Sequence, residues 1–292
     1  MTDALAPPGP ASPASPASPA SPASPASSES PEGLPQITDS YWLSDMDGVL
    51  VHEESMIPGA DRFIRALREQ ARGWLLMTNN SIYTPRDLAA RLAASGVEVP
   101  EHNIWTSALA TAQFLAQQRP GGTAFVVGES GLTTALHEVG YTLVDRKPDY
   151  VVIGEVRTYS FEAITHAIRL IEGGSRFIAT NPDATGPSMQ GTLPATGAVT
   201  ALITEATGRR PYNIGKPNPL MMRSALTRLG AHSEESIMVG DRMDTDIKTG
   251  LEAGMRTVLV LTGVTKPKDT DNYPYRATYT VGSVADLVRS AA

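Results

Sequence analysis

The chain has 292 residues, 41% of them hydrophobic, with five histidines, no cysteine and a formal charge of −7. That length fits one large domain or two smaller ones, and the missing cysteines exclude disulfide scaffolds, thiolate nucleophiles and cysteine-ligated zinc. An acidic balance without a basic patch argues against a nucleic-acid polymer as the main partner. No apolar run approaches the roughly 18 residues of a membrane span.

Residues 1–37 read as a separate tail. The repeat "ASPASPASPASPASP" (11–25) has no apolar side chain large enough to build a core, and proline at every third position favours extended conformers. The tail has neither a basic start nor an apolar stretch, so it does not read as a secretory signal. The cytoplasm is the expected location.

From about residue 38, short apolar runs alternate with helical patterns. The first run ends at Asp45. Others at 73–78, 124–128, 150–154, 176–180, 236–240 and 257–263 are apolar on both faces, as strands covered on both sides must be. Between them, Thr84-Pro85 with Asp87 signals a helix start and Gly96 a stop. Ser130 opens a helical segment that Gly140 ends, and Ser160 opens another with Ile164, Ile168 and Ile171 on one face. Asn218-Pro219 starts a helix closed by Gly230, and Gly254 follows "DTDIKTGLEA" (244–253). The alternation predicts an α/β protein with a mainly parallel, Rossmann-like sheet.

Ligands of such sheets bind at the carboxyl ends of the strands. The first strand is followed there by Asp45-Met46-Asp47-Gly48, the second by Thr78-Asn79-Asn80-Ser81, and the run at 236–240 by Asp241 through Asp246. Any one of these alone is ordinary turn or cap chemistry. Together they bring Asp45, Asp47 and Asp241 to one edge, where like charges demand shared protons or a cation. Oxygen-only donors suit a hard ion such as Mg²⁺. One carboxylate can attack phosphorus while a second, two residues on, handles the proton of the leaving oxygen. The Thr78 hydroxyl and the backbone N–H groups around Asn79 can hold phosphoryl oxygens, and Lys216 lies just before a helix start.

With these motifs in order, "DMDGVL", "TNN", "GKP" and "GDRMDTDI", the chain resembles the haloacid dehalogenase-like (HAD) phosphatase superfamily, subfamily IIA. Further segments, "TSALATAQFL", "FIATNPD", "AHSEESIMVGD" and "LVLTGV", are similar to the NagD-type ribonucleotide monophosphatases, and the likeness covers about residues 40–290. The resemblance implies that Asp45 is the nucleophile and a metal ligand. It implies that Asp47 is the general acid/base, with its carbonyl also on the metal. Thr78, Asn79, Asp47 and Lys216 would then bind the phosphoryl group, Asp241 would complete a Mg²⁺ site, and Asp246 would act from behind it. The implied reaction is hydrolysis of small phosphomonoesters, nucleoside monophosphates such as UMP first, through an aspartyl phosphate. Asn80 departs from the aromatic residue the NagD type can carry, and "GDRMDTDI" is closer to phosphoglycolate and pyridoxal phosphatases of the subfamily. Phosphoglycolate, sugar phosphates, pyridoxal phosphate and 4-nitrophenyl phosphate are therefore alternative substrates. A non-catalytic phosphometabolite-binding protein is the alternative of another class; it would have lost Asp45, Asp47 or Lys216, and all three are present.

The stretch between Thr78 and Lys216 is too long for one crossover and carries three apolar runs and three helical patterns of its own. It predicts a catalytic core at 38–120 and 213–292 with an inserted α/β cap domain at 121–212. "TNPDATG" (180–186) follows the cap's last predicted strand and leaves two readings: Asn181 and Asp183 face the substrate, or they form a structural turn. There is no G-x-G-x-x-G fingerprint, P-loop or G-x-S-x-G elbow, and His52 reads as a local hydrogen-bonding group. The expected partner is a small phosphorylated metabolite, with no membrane; a homo-oligomer is left open.

Overall fold

Two parallel sheets account for the alternation of strand and helix. A computed structural model describes residues 33–186 and 191–291, so the Pro-rich repeat and most of the predicted tail lie outside the described residues. The larger sheet has six strands in the order Tyr279–Val281, Arg256–Val260, Ser236–Gly240, Tyr41–Asp45, Gly73–Thr78 and Ile104–Thr106. Every neighbouring pair is parallel. Ser44 pairs with Val239 on one side and Leu76 on the other, so the three motif-bearing strands end level.

These strands are buried on both faces because each carries two apolar stripes. Trp42, Trp74 and Leu76 pack on one side with Phe63 and Leu67 of the helix Ala60–Gln70. Leu43, Leu75 and Met77 pack on the other with Met221 and Met222 of the helix Pro219–Leu229. Three of the predicted helix starts form as side-chain caps, whereas Ser130–Glu138 begins after Glu129 without one. Thr84 and Asp87 make a reciprocal capping box at Pro85–Ala94. Ser160 Oγ accepts from Ala163 N, and Asn218 Oδ1 from Leu220 N.

The second sheet is the inserted cap. Its five parallel strands run in the order Tyr212–Asn213, Arg176–Ala179, Tyr150–Ile153, Thr123–Val127 and Thr142–Leu143. The last strand in sequence, Tyr212–Asn213, crosses the boundary drawn between 212 and 213. Cap and core share apolar packing: Ala124, Leu132, Tyr150 and Ile178 of the cap join Leu43, Met77 and Trp105 of the core in one cluster.

Several elements were not predicted. The strands Ile104–Thr106 and Tyr279–Val281 have three residues each, too few to show a period. The helix Ser107–Gln118 is rich in small residues, so its buried face does not stand out as large apolar positions. "DTDIKTGLEA" is not one regular helix: Met243–Ile247 is a π-helical turn ahead of Lys248–Glu252. There the N–H groups of Asp246 and Ile247 both reach the Arg242 carbonyl. Nor does the packed core begin at residue 38. Ile37 is buried, and its carbonyl accepts from Trp42 Nε1 at 3.2 Å. Among the described residues, no helix is long and apolar enough to cross a membrane.

Candidate active site

The carboxyl edge of the larger sheet gathers the residues singled out in the sequence. Asp45 ends its strand and is buried. Lys216 Nζ lies 2.7 Å from Asp45 Oδ1 and 2.7 Å from Asp246 Oδ1. Both oxygens of Asp246 are engaged, because Oδ2 accepts from Arg242 N at 3.1 Å. Burial alone would lower the pKa of Lys216, but Asp246 and Asp45 outweigh it and hold the ammonium above the usual lysine range.

Asp241 is seated by backbone. Its Oδ2 accepts from Val264 N at 2.6 Å. A Cβ on Gly48 or Gly263 would overlap its carboxylate, and one on Gly240 would overlap Asp246. Gly48 also has a φ of 76°, the left-handed region that glycine adopts freely. Ligand-atom oxygens of Asp45, Asp241 and Asp246 all lie within 4.8 Å of one another. Burial, and then the charge of Asp246, raises Asp45 well above the usual carboxylate value and pushes Asp241 up to about 6. Three acids around one ammonium are under-compensated, and their oxygen-only donor set fits a hard divalent cation such as Mg²⁺.

Asp47 stands in the turn after the strand, where Gly48 N donates to Val51 O at 2.8 Å. Burial pushes its carboxyl up to about 6, against the pull of Lys216, His52 and Arg91. Its proton exchange is thereby brought closer to neutral pH than that of an ordinary carboxylate. His52 Nε2 bonds the carbonyl of Thr262 at 2.6 Å, a local structural contact.

Thr78 lies on the neighbouring strand, one residue past Met77, which is level with Asp45. Its Oγ1 accepts from Asn80 N at 3.1 Å. The Asn79 side chain is committed elsewhere. Its Nδ2 donates to Asp183 Oδ2 at 2.8 Å and to Lys216 O at 3.0 Å, and its Oδ1 accepts from Lys216 N at 2.8 Å. The amide thus fixes Lys216 and the cap loop.

Asn181 and Asp183 were predicted to face the substrate or to form a structural turn. Their side chains brace the cap on the core. Asn181 Nδ2 donates to Asn79 O at 2.9 Å, and Asn181 Oδ1 accepts from Asp183 N. Asp183 accepts from Asn79 and lies 3.5 Å from Arg242 Nη1. Arg242 also grips Asp244 through two hydrogen bonds of 3.0 and 2.8 Å. Sequence reading missed Arg242, although it lies inside the last motif between acids. It also missed Glu155 on the cap, which no motif marks; burial, then the charges of Asp183 and Asp47, pushes Glu155 up to about 7.

Comparison with known proteins agrees with this geometry. Residues 42–142 match a family model described as "Haloacid dehalogenase-like hydrolase", and residues 213–287 one described as "HAD-hyrolase-like". The chain is 62% identical to the dihydroxyacetone phosphatase of Corynebacterium glutamicum, over 84% of this chain and 90% of that protein. It is 42% identical to the solved structure of NagD from Escherichia coli, with a TM-score of 0.80, covering 86% of this chain and 98% of that one. A glycerol phosphate phosphatase from Mycobacterium tuberculosis, solved with magnesium, is 31% identical with a TM-score of 0.81 over 86% of this chain and 77% of that one. The chain belongs to the haloacid dehalogenase-like hydrolases, in their NagD-type branch of phosphoric monoester hydrolases.

Proposed function

We propose that the protein hydrolyses small phosphomonoesters with Mg²⁺, through an aspartyl phosphate on Asp45. The observation that carries this reading is the Lys216 ammonium held 2.7 Å from both Asp45 and Asp246, on the same edge as Asp241. An Asp45 oxygen attacks phosphorus, and the bond to the leaving oxygen breaks as Asp47 delivers its proton there. Asp47, now a carboxylate, takes a proton from water, and the hydroxide oxygen displaces Asp45 from phosphorus. Lys216 offsets charge on nucleophile and phosphate, while the Thr78 hydroxyl and the Asn79 N–H hold phosphoryl oxygens. The carboxylates of Asp45 and Asp241, with the Asp47 carbonyl, would hold Mg²⁺, which supplies charge neutralisation at the phosphoryl group.

The leaving group we favour is a short hydroxyl-bearing one, dihydroxyacetone phosphate being the first candidate, because a relative 62% identical carries that activity in its name. Nucleoside monophosphates, the expectation from sequence, are the second reading, favoured by the ribonucleotide monophosphatase NagD at 43% identity. The test is phosphate release from dihydroxyacetone phosphate, UMP, phosphoglycolate, pyridoxal phosphate and 4-nitrophenyl phosphate, with Mg²⁺ and with chelator. Release from none of them, or an undiminished rate in chelator, sinks the reading.

A further inference from the structure

Glu155 is an acid of the cap that the mechanism does not use. It follows Gly154 at the carboxyl end of the cap strand Tyr150–Ile153. Its N–H donates to Ser81 Oγ at 2.9 Å, two residues past Asn79, so this strand end abuts the phosphate-binding turn. Gly154 makes that approach possible, since a Cβ there would stand 3.2 Å from Ser81 Oγ and 2.8 Å from Leu132. The side chain extends beside the hairpin of Thr185–Gly186 and Leu193–Pro194, with Oε1 3.5 Å from the Cβ position of Gly186. It lies within electrostatic reach of both Asp183 and Asp47. Its main chain is thus anchored on the turn that follows Thr78, and its carboxylate lies against the Gly186 strand of the hairpin.

Two other acids, linked through Arg242, already have partners. Asp183 has the Asn79 amide and the Arg242 guanidinium, and Asp244 has both arms of Arg242. Among the described residues, no donor is hydrogen-bonded to the Glu155 carboxylate and no cation forms a salt bridge with it. Within that described set, its half-buried oxygens are left for a ligand's donors.

We propose that Glu155 selects the leaving group. It accepts hydrogen bonds from the hydroxyls of an uncharged leaving group and repels one that carries a carboxylate. This rests on the phosphatase reading above. A buried acceptor left without its donor discriminates strongly, and like charges brought together in a closed site discriminate further. Charge matching across the cap thereby separates two esters of similar size, glycerol 3-phosphate and phosphoglycolate.

The experiment compares kcat/KM for those two esters in the parent, Glu155→Gln and Glu155→Lys, with cooperative thermal melting as the check on folding. The preference for glycerol 3-phosphate over phosphoglycolate is expected to fall by about tenfold or more in Glu155→Gln. It should fall further in Glu155→Lys, mainly through KM. A preference unchanged in a folded variant, or a loss confined to kcat and equal on both esters, overturns the assignment. Glu155→Asp supplies the same comparison should Glu155→Gln not fold, since a shortened acid keeps the repulsion but loses reach to the hydroxyls. A parent that releases phosphate from neither these nor the five esters above overturns the phosphatase reading together with this one. An active parent with an unmoved ratio overturns this one alone.

Discussion

The ammonium of Lys216 lies 2.7 Å from a carboxylate oxygen of Asp45, and Asp246 takes a second contact of the same length. Two buried acids, one at a strand end and one in the π-helical turn Met243–Ile247, are thus held by one buried cation, which arrives from the segment that follows the cap.

Removing that cation should harm both activity and stability. Lys216→Met is expected to lower turnover about 10²-fold or more, as loss of a preorganised charge at a transition state does. It should also destabilise the fold by about 3 kcal/mol, the scale for breaking a buried ion pair. Adding Asp246→Asn should recover part of the melting temperature and none of the turnover. Recovery of turnover in the double variant would show that Lys216 is structural only.

The nucleophile assignment makes an opposite prediction for stability. Asp45→Asn removes a carboxylate whose ionisation burial opposes, so the protein should melt at least as high as the parent in chelator. Phosphate release should disappear. Turnover above a few per cent of the parent rate would exclude Asp45 as the attacking group.

Asp47 gives a pH signature. Its carboxyl titrates near 3.8 when unfolded and at about 6 in the folded protein. Between those values the folded state holds a proton that the unfolded state has released, so stability falls as pH rises across the window. It stays lower above about 6. Asp47→Asn, melted in chelator, should gain on the parent above about pH 6 and gain nothing below about pH 4. A gain independent of pH would show that the carboxyl is not buried as described.

Gly263→Ala tests the seat of Asp241. The added methyl would overlap that carboxylate, so the acid must turn away. The Mg²⁺ concentration for half-maximal activity should rise by about tenfold or more, the scale for disturbing groups around a metal site. An unchanged Mg²⁺ requirement would remove Asp241 from the site.

Chain starts at Gly33 and at Thr38 should not behave alike. The shorter chain loses the buried Ile37 side chain and the carbonyl that accepts from Trp42. About 2 kcal/mol of burial is at stake, roughly 4 °C or more in melting temperature for a chain of this size. Equal melting temperatures would mean that Ile37 contributes nothing to the core.

What the sequence disclosed and what it withheld divide along physical lines. Asp45, Thr78, Lys216 and Asp241 were legible because each sits at the end of an apolar run or the start of a capped helix. Glu155 and Arg242 were not, since the surroundings of each come from residues distant in the chain: Asp183 repels the Glu155 carboxylate and attracts the Arg242 guanidinium. Asn79 shows the same limit from the other side. Its position was legible, but its amide bonds Lys216 and Asp183 across more than a hundred residues, contacts that local pattern cannot encode. Short strands such as Ile104–Thr106 were lost for a simpler reason, having too few residues to repeat.

The glycines packed against Asp241 and Asp246 carry one more consequence. Gly48, Gly240 and Gly263 press bare backbone onto those carboxylates. The acids are therefore fixed by length as well as by charge. A glutamate, one methylene longer, would have to push through main chain to bring its oxygens to the same points. The walls of the site act as a gauge that admits aspartate alone, so the chemistry at this edge can be silenced by lengthening a side chain without altering its charge.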